Sequence, residues 1–267
     1  MIHPTAIIHP SAQIDPTAIV EPCAVIDAHV ALGANCRVGP HAYLTGWTRI
    51  GANNQFHAGC VIGDAPQDLK YRGQPTRLVI GDNNVFREHV TIHRSNSEQE
   101  ETRIGSGGLF MAGCHVGHNS RIGDNVILAN GALVGGHVEI GARAFISGHC
   151  LLHQFVRVGE LALMQGGSGI SLDLPPFTIA RDNNRICGLN IIGLRRAGIS
   201  AAQRLELKRV YRELFRRGLT LSEALQRVRG WELAAPAKSL VEFVAASKRG
   251  VCRDHATVAE EADDARE

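Results

Sequence analysis

His115 and His118 lie three residues apart in the segment MAGCHVGHNSRIGDN, which covers residues 111–125. Further along the chain, His137 follows a pair of glycines that ends at Gly136. A neutral histidine titrates near neutrality and can act as a general base, while backbone N–H groups beside glycines can hold a developing oxyanion. These residue types predict base-assisted acyl transfer, provided that the fold brings them to one surface.

Zinc binding is the competing chemistry for histidines in this pattern. A catalytic zinc ion needs three converging protein ligands. His115 with His118, and His149 with His153, are conceivable pairs, but the spacing dictates no third ligand. We therefore predict no metal site.

The histidines belong to a six-residue repeat. Apolar residues recur every six positions over residues 2–62, 80–92 and 104–170. The residue two positions earlier is usually small, and glycine often follows the apolar one. A period of six fits neither an α-helix nor a flat strand and is typical of a hexapeptide-repeat solenoid. The sequence predicts a mainly β protein, a left-handed parallel β-helix, in which three hexads form one triangular coil.

This repeat predicts where the histidines lie. The recurring apolar residue should point to the axis, and neither His115 nor His118 occupies that position. With 18 residues in a coil, His137 follows His118 by 19 residues, which is one coil and one step further. His118, His137 and Gly136 can therefore share a small patch on the outside of the column.

Breaks in the repeat divide the chain. We expect a β-helix domain over residues 1–190 with projecting loops at 64–79 and 93–103, a C-terminal helical domain over 191–250, and a disordered tail over 251–267. The second loop could be functional or simply a solvated charged segment.

The helical domain should contain three helices, over residues 201–217, 221–229 and 237–249. Ser200 and Gln203 can form a capping box at the start of the first one. That helix and the residues just before it are rich in Arg and Lys. This positive surface suggests an acidic partner or a phosphorylated ligand, and the alternative is that it is only a solvated helix face.

Composition limits the classes of function. The net charge of +2 argues against a general nucleic-acid binder, no apolar run is long enough to span a membrane, and no secretory signal pattern begins the chain. Seven cysteines without paired spacing suit a reducing cytosol, so we expect a cytoplasmic protein. Four of them occupy the small hexad position and should lie in the core: Cys36, Cys60, Cys114 and Cys150.

A series of motifs resembles, in order, those of one enzyme family: QDLKYRGQPTR, TIHR, HVGHN, ILANGALVGGHVEIG, HQFVRVG, DLPPFTIA and GLNIIGLRRAG. Over roughly residues 1–250 the chain is similar to the acyl-[acyl-carrier-protein]–UDP-N-acetylglucosamine O-acyltransferases, the first enzymes of lipid A biosynthesis. The resemblance implies a cytoplasmic homotrimer with active sites between neighbouring columns. It also implies transfer of an (R)-3-hydroxyacyl chain from acyl carrier protein to the sugar 3-hydroxyl, without a cofactor beyond the carrier's phosphopantetheine.

The same resemblance implies roles for individual residues. His118 matches the general base, the Gly136 N–H matches the oxyanion donor, and Gly166 falls where the depth of the acyl pocket is set. The residues implied to bind substrate are Asp68, Lys70, His115, His137, His153, Gln154, Asn190 and Arg196. The residues implied to dock the carrier protein are Arg195, Arg204, Lys208, Arg209 and Arg212.

Three departures from the family pattern leave alternatives open. The base histidine is usually followed by Asp, but here by Asn119, which brings no charge to stabilise an imidazolium. On this ground an Asn119→Asp change should preserve or raise activity. Ile192 and Ala197 replace an acid and an arginine, and the segment RDNNRICG also departs. Transfer to an amine of a related UDP-amino-sugar therefore stays open, as does a non-catalytic trimeric scaffold.

Overall fold

The computed structural model of the chain describes residues 1–254, and over most of this length the backbone winds into a three-sided column. Each hexad contributes a short strand and a turn, and the strands of the hexads pair in parallel with a strand one coil later. After the last coil, the strands Thr178–Arg181 and Arg185–Leu189 pair antiparallel. The second residue of nearly every strand points inward and is buried, as Ile26 and Val116 illustrate. The predicted mainly β, parallel β-helix fold is confirmed.

Three sheets form the sides of the column. Sheet I contains β1 (Ile7–Ile8), β4 (Val25–Ile26), β7 (Tyr43–Leu44), β10 (Val61–Asp64), β13 (Thr91–His93), β16 (His115–Val116), β19 (Leu133–Val134), β22 (Leu151–Leu152) and β25 (Gly169–Ile170). Sheet II contains β2 (Gln13–Ile14), β5 (Ala31–Leu32), β8 (Trp47–Ile50), β11 (Arg77–Ile80), β14 (Glu101–Ile104), β17 (Arg121–Ile122), β20 (Glu139–Ile140) and β23 (Arg157–Val158). Sheet III contains β3 (Ile19–Val20), β6 (Arg37–Val38), β9 (Gln55–Phe56), β12 (Val85–Phe86), β15 (Leu109–Phe110), β18 (Ile127–Leu128), β21 (Phe145–Ile146), β24 (Leu163–Met164), β26 (Thr178–Arg181), β27 (Arg185–Leu189) and β28 (Arg253–Asp254).

The core is a continuous apolar stack along the axis of the column. Phe56, Phe86 and Phe110 lie above one another with ring centroids 4.9 and 4.7 Å apart. The four cysteines at small hexad positions are buried, as predicted. The first apolar hexad residue, Ile2, is instead 50% exposed because it lies at the open end of the column.

Two insertions leave the column and return to its register. Ile50 pairs with Ile80 and Ile80 with Ile104, whereas strand partners elsewhere are mostly 18 residues apart. The projecting segments are residues 65–76 and 94–100, shorter than the predicted 64–79 and 93–103. The reason is that β11 and β14 each extend to four residues and add to the ladder of sheet II.

The helical region begins directly after the predicted boundary at residue 190. It contains α1 (Ile191–Arg196), α2 (Ala201–Phe215), α3 (Leu221–Val228) and α4 (Ala235–Ala245). Ser200 and Gln203 form the predicted capping box at the start of α2. The short α1 was not predicted, and α4 begins two residues earlier and ends four residues earlier than expected.

The start of the predicted disordered tail is ordered in the structure. Val251 and Cys252 are buried, and β28 pairs with β27. The carboxylate of Asp254 accepts hydrogen bonds from the Tyr211 hydroxyl and the Arg216 guanidinium, both at 2.6 Å. The prediction of disorder is therefore wrong for residues 251–254, and its remainder, residues 255–267, lies outside the described residues.

Across residues 1–254, none of the helices combines the length and the apolar character needed to span a bilayer.

Candidate active site

One corner of the column, between sheets I and II, gathers the predicted catalytic residues. Asn119, His137 and Phe155 occupy the same turn position in three successive coils, each with a left-handed backbone (φ of 59°, 57° and 66°). The His137 ring stacks on Phe155 with centroids 4.5 Å apart, and its centroid lies 5.2 Å from that of His118. The corner therefore brings His118 and His137 together, as the repeat predicts.

Gly136 lies against the ring of His118. A Cβ atom built on Gly136 would be 2.9 Å from both Cε1 and Nε2 of that ring, so any side chain here would overlap it. Among the described residues, the Gly136 N–H makes no hydrogen bond, while its carbonyl accepts from the Phe155 N–H at 3.0 Å. Gly136, a residue with a free N–H, thus lies beside the imidazole edge that carries Nε2.

Asn119 holds the other edge of the imidazole. Its Oδ1 is 2.7 Å from His118 Nδ1 and accepts a second hydrogen bond from the Asn96 N–H at 3.1 Å. Its Nδ2 donates to Ser95 Oγ at 2.9 Å and to the carboxylate of Glu100. The side chain is buried, and each of its polar atoms has a partner.

Both projecting segments reach this corner. Asp68 accepts hydrogen bonds from the Lys70 N–H at 2.9 Å and from the Asn96 side chain at 2.6 Å. These bonds, with the nearby His118, lower the pKa of Asp68, so that it is a carboxylate at neutral pH. Tyr71 ties the two segments together because its hydroxyl accepts from the Arg94 guanidinium at 3.0 Å.

His115 is half-buried on the side of sheet I next to this corner. Its Nδ1 lies 2.8 Å from Thr91 Oγ1, and its ring meets the buried His93 edge-on at 4.8 Å. Burial lowers the pKa of His115 to about 4 and also lowers the pKa of His93, and burial lowers the pKa of His137. These three rings are therefore neutral at physiological pH.

An apolar groove runs from His115 along the outer face of sheet I. Its floor is formed by the outward residues of successive strands, including Leu133 and Leu151, which are 44% and 53% exposed. The groove has a volume of about 490 Å³, and His153 and Gly169 line its far part. Gln154 is exposed beside His153, whose Nδ1 is 3.0 Å from the Gln154 carbonyl oxygen.

Three predicted residues lie on a different side of the molecule. Asn190, Arg195 and Arg196 line a cavity of about 1110 Å³ between sheet III and α1. The Asn190 side chain caps α1 by accepting from the Gly193 N–H and donates to the Leu161 carbonyl, both at 2.9 Å. Gly166 lies exposed at the corner between sheets III and I. Within a single chain, these four residues therefore do not lie near His118.

The basic residues of α2, and the two that follow it, differ in their contacts. Arg216 pairs with Asp254 and Arg217 with Glu213, so both serve contacts within the chain. Arg209 lies over the ring of Trp231 at 4.0 Å, Arg204 donates to the Ile199 carbonyl, and Arg212 is exposed. Lys208 is partly exposed beside them.

The sequence reasoning missed the residues of the second projecting segment. Ser95, Asn96 and Glu100 all contact Asn119. The signal that could have found them is the pairing of β13 with β16, because this insertion leaves the column one coil before the His118 corner.

Within residues 1–254, no three side chains of His, Cys, Asp or Glu are arranged to hold a metal ion.

The column is built of hexapeptide repeats, and one of its corners combines the adjacent rings of His118 and His137, the free N–H of Gly136 and an apolar groove. This architecture is that of a hexapeptide-repeat transferase. The family model "Bacterial transferase hexapeptide (six repeats)" matches residues 101–136, and the model "Udp N-acetylglucosamine O-acyltransferase; Domain 2" matches residues 173–252. The chain belongs to the family of acyl-[acyl-carrier-protein]–UDP-N-acetylglucosamine O-acyltransferases.

Membership rests on relatives along nearly the whole chain. The enzyme of that name from Syntrophobacter fumaroxidans is 46% identical over 231 residues, which cover 83% of this chain and 90% of the relative. The one from Saccharophagus degradans is 42% identical, with 94% and 99% covered. The solved UDP-N-acetylglucosamine acyltransferase of Francisella novicida is 34% identical, with a TM-score of 0.91 and 96% and 95% covered. That of Campylobacter jejuni is 33% identical, with a TM-score of 0.88 and 95% and 99% covered.

Proposed function

We propose that this protein transfers an (R)-3-hydroxyacyl chain from acyl carrier protein to the 3-hydroxyl of UDP-N-acetylglucosamine, the first step of lipid A biosynthesis. The names of its relatives specify this donor and this sugar nucleotide. In this proposal the working form is a cytoplasmic homotrimer.

The observation that carries the proposal is the arrangement around His118. Its Nδ1 is engaged by Asn119 Oδ1, its Nε2 edge faces Gly136, and the apolar groove begins at His115 beside it. A base, an oxyanion donor and a surface for an acyl chain are the three parts that acyl transfer from a thioester needs.

The chemistry follows from these positions. Nε2 of His118 takes the proton of the sugar hydroxyl as its oxygen attacks the thioester carbonyl and forms the new C–O bond. The Gly136 N–H stabilises the negative oxygen of the tetrahedral intermediate. Collapse breaks the C–S bond, and the imidazolium returns the proton to the pantetheine sulfur. The acyl group arrives on the carrier's phosphopantetheine, so this sequence needs no further cofactor.

The placement of the remaining residues supports a shared site. Asp68, Lys70, His137, His153 and Gln154 belong to the His118 side and would bind sugar and pantetheine. Asn190 and Arg196, which would hold the nucleotide, lie on the sheet III side. A neighbouring column would bring that side to His118, and Asn190 would act there by fixing α1 and Arg196.

The direct test is transfer by the purified protein. With 3-hydroxyacyl-carrier protein and UDP-N-acetylglucosamine, mass spectrometry should show an ester product. His118→Ala should lower kcat by about 10²- to 10⁴-fold because the general base is lost, while the oligomer stays folded. His57→Ala, which changes a partly exposed histidine near Glu88, is the matched control and should keep its activity.

Each alternative predicts a different result. An amide product from a UDP-amino-sugar, with no ester from UDP-N-acetylglucosamine, would make the amine the acceptor. Absence of product with every donor and acceptor would favour a scaffold. A His118→Ala enzyme with a tenth of wild-type turnover would remove His118 from the role of base.

A further inference from the structure

Asn119 stands where the family resemblance implies an acid, and the structure places the Glu100 carboxylate immediately behind it. Asn119 Nδ2 donates to Oε2 of Glu100, and the same oxygen is 3.9 Å from Nδ1 of His137. Resting on the proposed role of His118 as base, we propose that Glu100 is a positioning residue that supplies, through the Asn119 amide, the charge and the orientation that an acid next to the base would otherwise provide.

The direction of the Asn119 amide is fixed by groups that can bond in only one way. A carboxylate only accepts hydrogen bonds, so the atom facing Glu100 must be the NH₂ group. The Asn96 N–H only donates, so the atom facing it must be the oxygen. The Ser95 hydroxyl donates to the Ser97 carbonyl at 2.9 Å, so it accepts from the same NH₂ group.

This direction sets the tautomer of His118. The amide oxygen of Asn119 can only accept, so the proton of the neutral ring lies on Nδ1 and the lone pair on Nε2. Nε2 is the nitrogen at the Gly136 side, where the sugar hydroxyl would approach. If the amide were reversed, Nδ1 would have to accept and Nε2 would carry the proton, which would leave the ring unable to act as a base.

Glu100 is held close to this amide by its backbone. It ends the 94–100 segment, its N–H donates to the Ser97 carbonyl at 3.3 Å, and the next residue, Glu101, begins β14. The carboxylate also carries the negative charge that polarises the amide toward His118 when the imidazolium forms. Asp68, the other carboxylate nearby, reaches the network only through the Asn96 side chain.

The proposal reverses the expectation for Asn119→Asp. In the present geometry an aspartate would meet the Glu100 carboxylate within hydrogen-bonding distance, and two carboxylates share such a site only when one is protonated. As the pH rises and that proton leaves, repulsion should push the two side chains apart and disturb the ring of His118.

The experiment removes the carboxylate from position 100, adds one at position 119, or does both, and measures kcat and kcat/KM of each variant against pH. Glu100→Gln should lower kcat about three- to tenfold and move the acidic limb of the kcat/KM profile to lower pH, because an imidazolium near a neutral amide is less stabilised. Asn119→Asp should lose activity increasingly above neutral pH. The double variant Asn119→Asp with Glu100→Gln should recover most of it, since the glutamine can donate to the new carboxylate.

The matched control is Glu98→Gln, which removes the same charge from an exposed position in the same segment and should leave the profile unchanged. An Asn119→Asp enzyme as active as the wild type at every pH would overturn the proposal, as would a Glu100→Gln profile identical to that of the control. A wild-type protein without transferase activity would instead contradict the proposed function, so the two failures are distinguishable.

Discussion

Two imidazoles three residues apart have different surroundings at this corner. The His118 ring lies in a network that reaches Asn119, Asn96 and Asp68, whereas His115 contacts Thr91 and the edge of the buried His93 ring. His115 therefore has the chemistry of a neutral, partly apolar group at the mouth of the groove.

This difference has a measurable effect on stability. Burial holds the pKa of His115 at about 4, below the value of 6.5 for an ordinary histidine. As the pH falls from 6.5 to 4, the unfolded chain binds a proton at this residue and the folded protein does not. The free energy of unfolding should therefore fall by about 1 kcal/mol per pH unit from this group, and the buried His93 acts in the same direction.

Urea unfolding of wild type and His115→Gln between pH 7 and 4.5 checks this prediction. The variant lacks the titrating ring, so its stability should depend less steeply on pH. His57→Gln, at a partly exposed ring, should retain the wild-type slope. Parallel curves for wild type and His115→Gln would mean that the His115 ring is not held neutral by burial.

At the scale of single residues, the repeat arithmetic was sufficient to predict that His118 and His137 meet. Each residue of the column has its height and side fixed by its position in the hexad. The contacts of Glu100 could not be predicted in this way, because the 94–100 segment leaves the repeat and its path depends on Ser95 and Asn96 reaching the next coil.

The corner between sheets III and I joins β24 to β25 and carries two adjacent glycines with different requirements. Gly167 has a left-handed backbone (φ of 74°), so a side chain there is strained. Gly166 does not, and a Cβ atom on it would be 3.6 Å from the Gly148 carbonyl oxygen, an ordinary contact. The backbone of this turn therefore does not itself require glycine at position 166.

We predict that Gly166→Met shortens the preferred acyl chain in a stably folded protein. Methionine would fill space at the end of β24, next to the strand whose Gly169 lines the groove. Each methylene excluded from the groove loses about 0.8 kcal/mol of burial, so a few of them change the preference more than tenfold. Competition between long-chain and short-chain acyl carrier proteins measures the effect.

Gly167→Ala is the control for this corner. It should lower the melting temperature because of its backbone conformation and leave the chain preference unaltered. Gly166→Met in a stable protein with an unchanged preference would exclude Gly166 from the acyl pocket.

At the scale of elements, the sequence predicted the features whose pattern repeats or lies within a few residues. The hexad recurs along the chain although its strands pair across coils, and the Ser200 capping box is complete within four residues, so both patterns are visible in the sequence. The six-residue helix α1 and the strand β28 depend on distant partners. Asn190 caps α1 while bonding to Leu161, and Asp254 is fixed by Tyr211 of α2 and by Arg216, which follows that helix.

Across the whole molecule the net charge is only +2, yet α2 carries a concentration of basic residues. Carrier-protein docking through this surface predicts that Lys208→Gln with Arg212→Gln raises KM for acyl carrier protein about three- to tenfold, with little change in kcat. The effect should shrink at high salt, because exposed charges are screened.

Two comparisons isolate this effect. An acyl-phosphopantetheine donor without the carrier protein should be used equally well by wild type and variant. Arg49→Gln, at an exposed strand position near the other end of the column, should not alter KM. If the variant and wild type have the same KM for the carrier-bound donor, docking does not depend on these two charges.

The open end of the column affects how the molecule unfolds. Each coil packs chiefly on its two neighbours, so the solenoid behaves as a linear array with nearest-neighbour coupling. Its first coil is covered on one side only, with Ile2 half exposed, whereas the last coils are joined to the helical region through Arg157, Asp173 and Ser247. Fraying should therefore start at residues 2–14 and be visible as fast amide hydrogen exchange there. The coils around His118 exchange later, so the terminal coil can melt and re-form while catalysis continues.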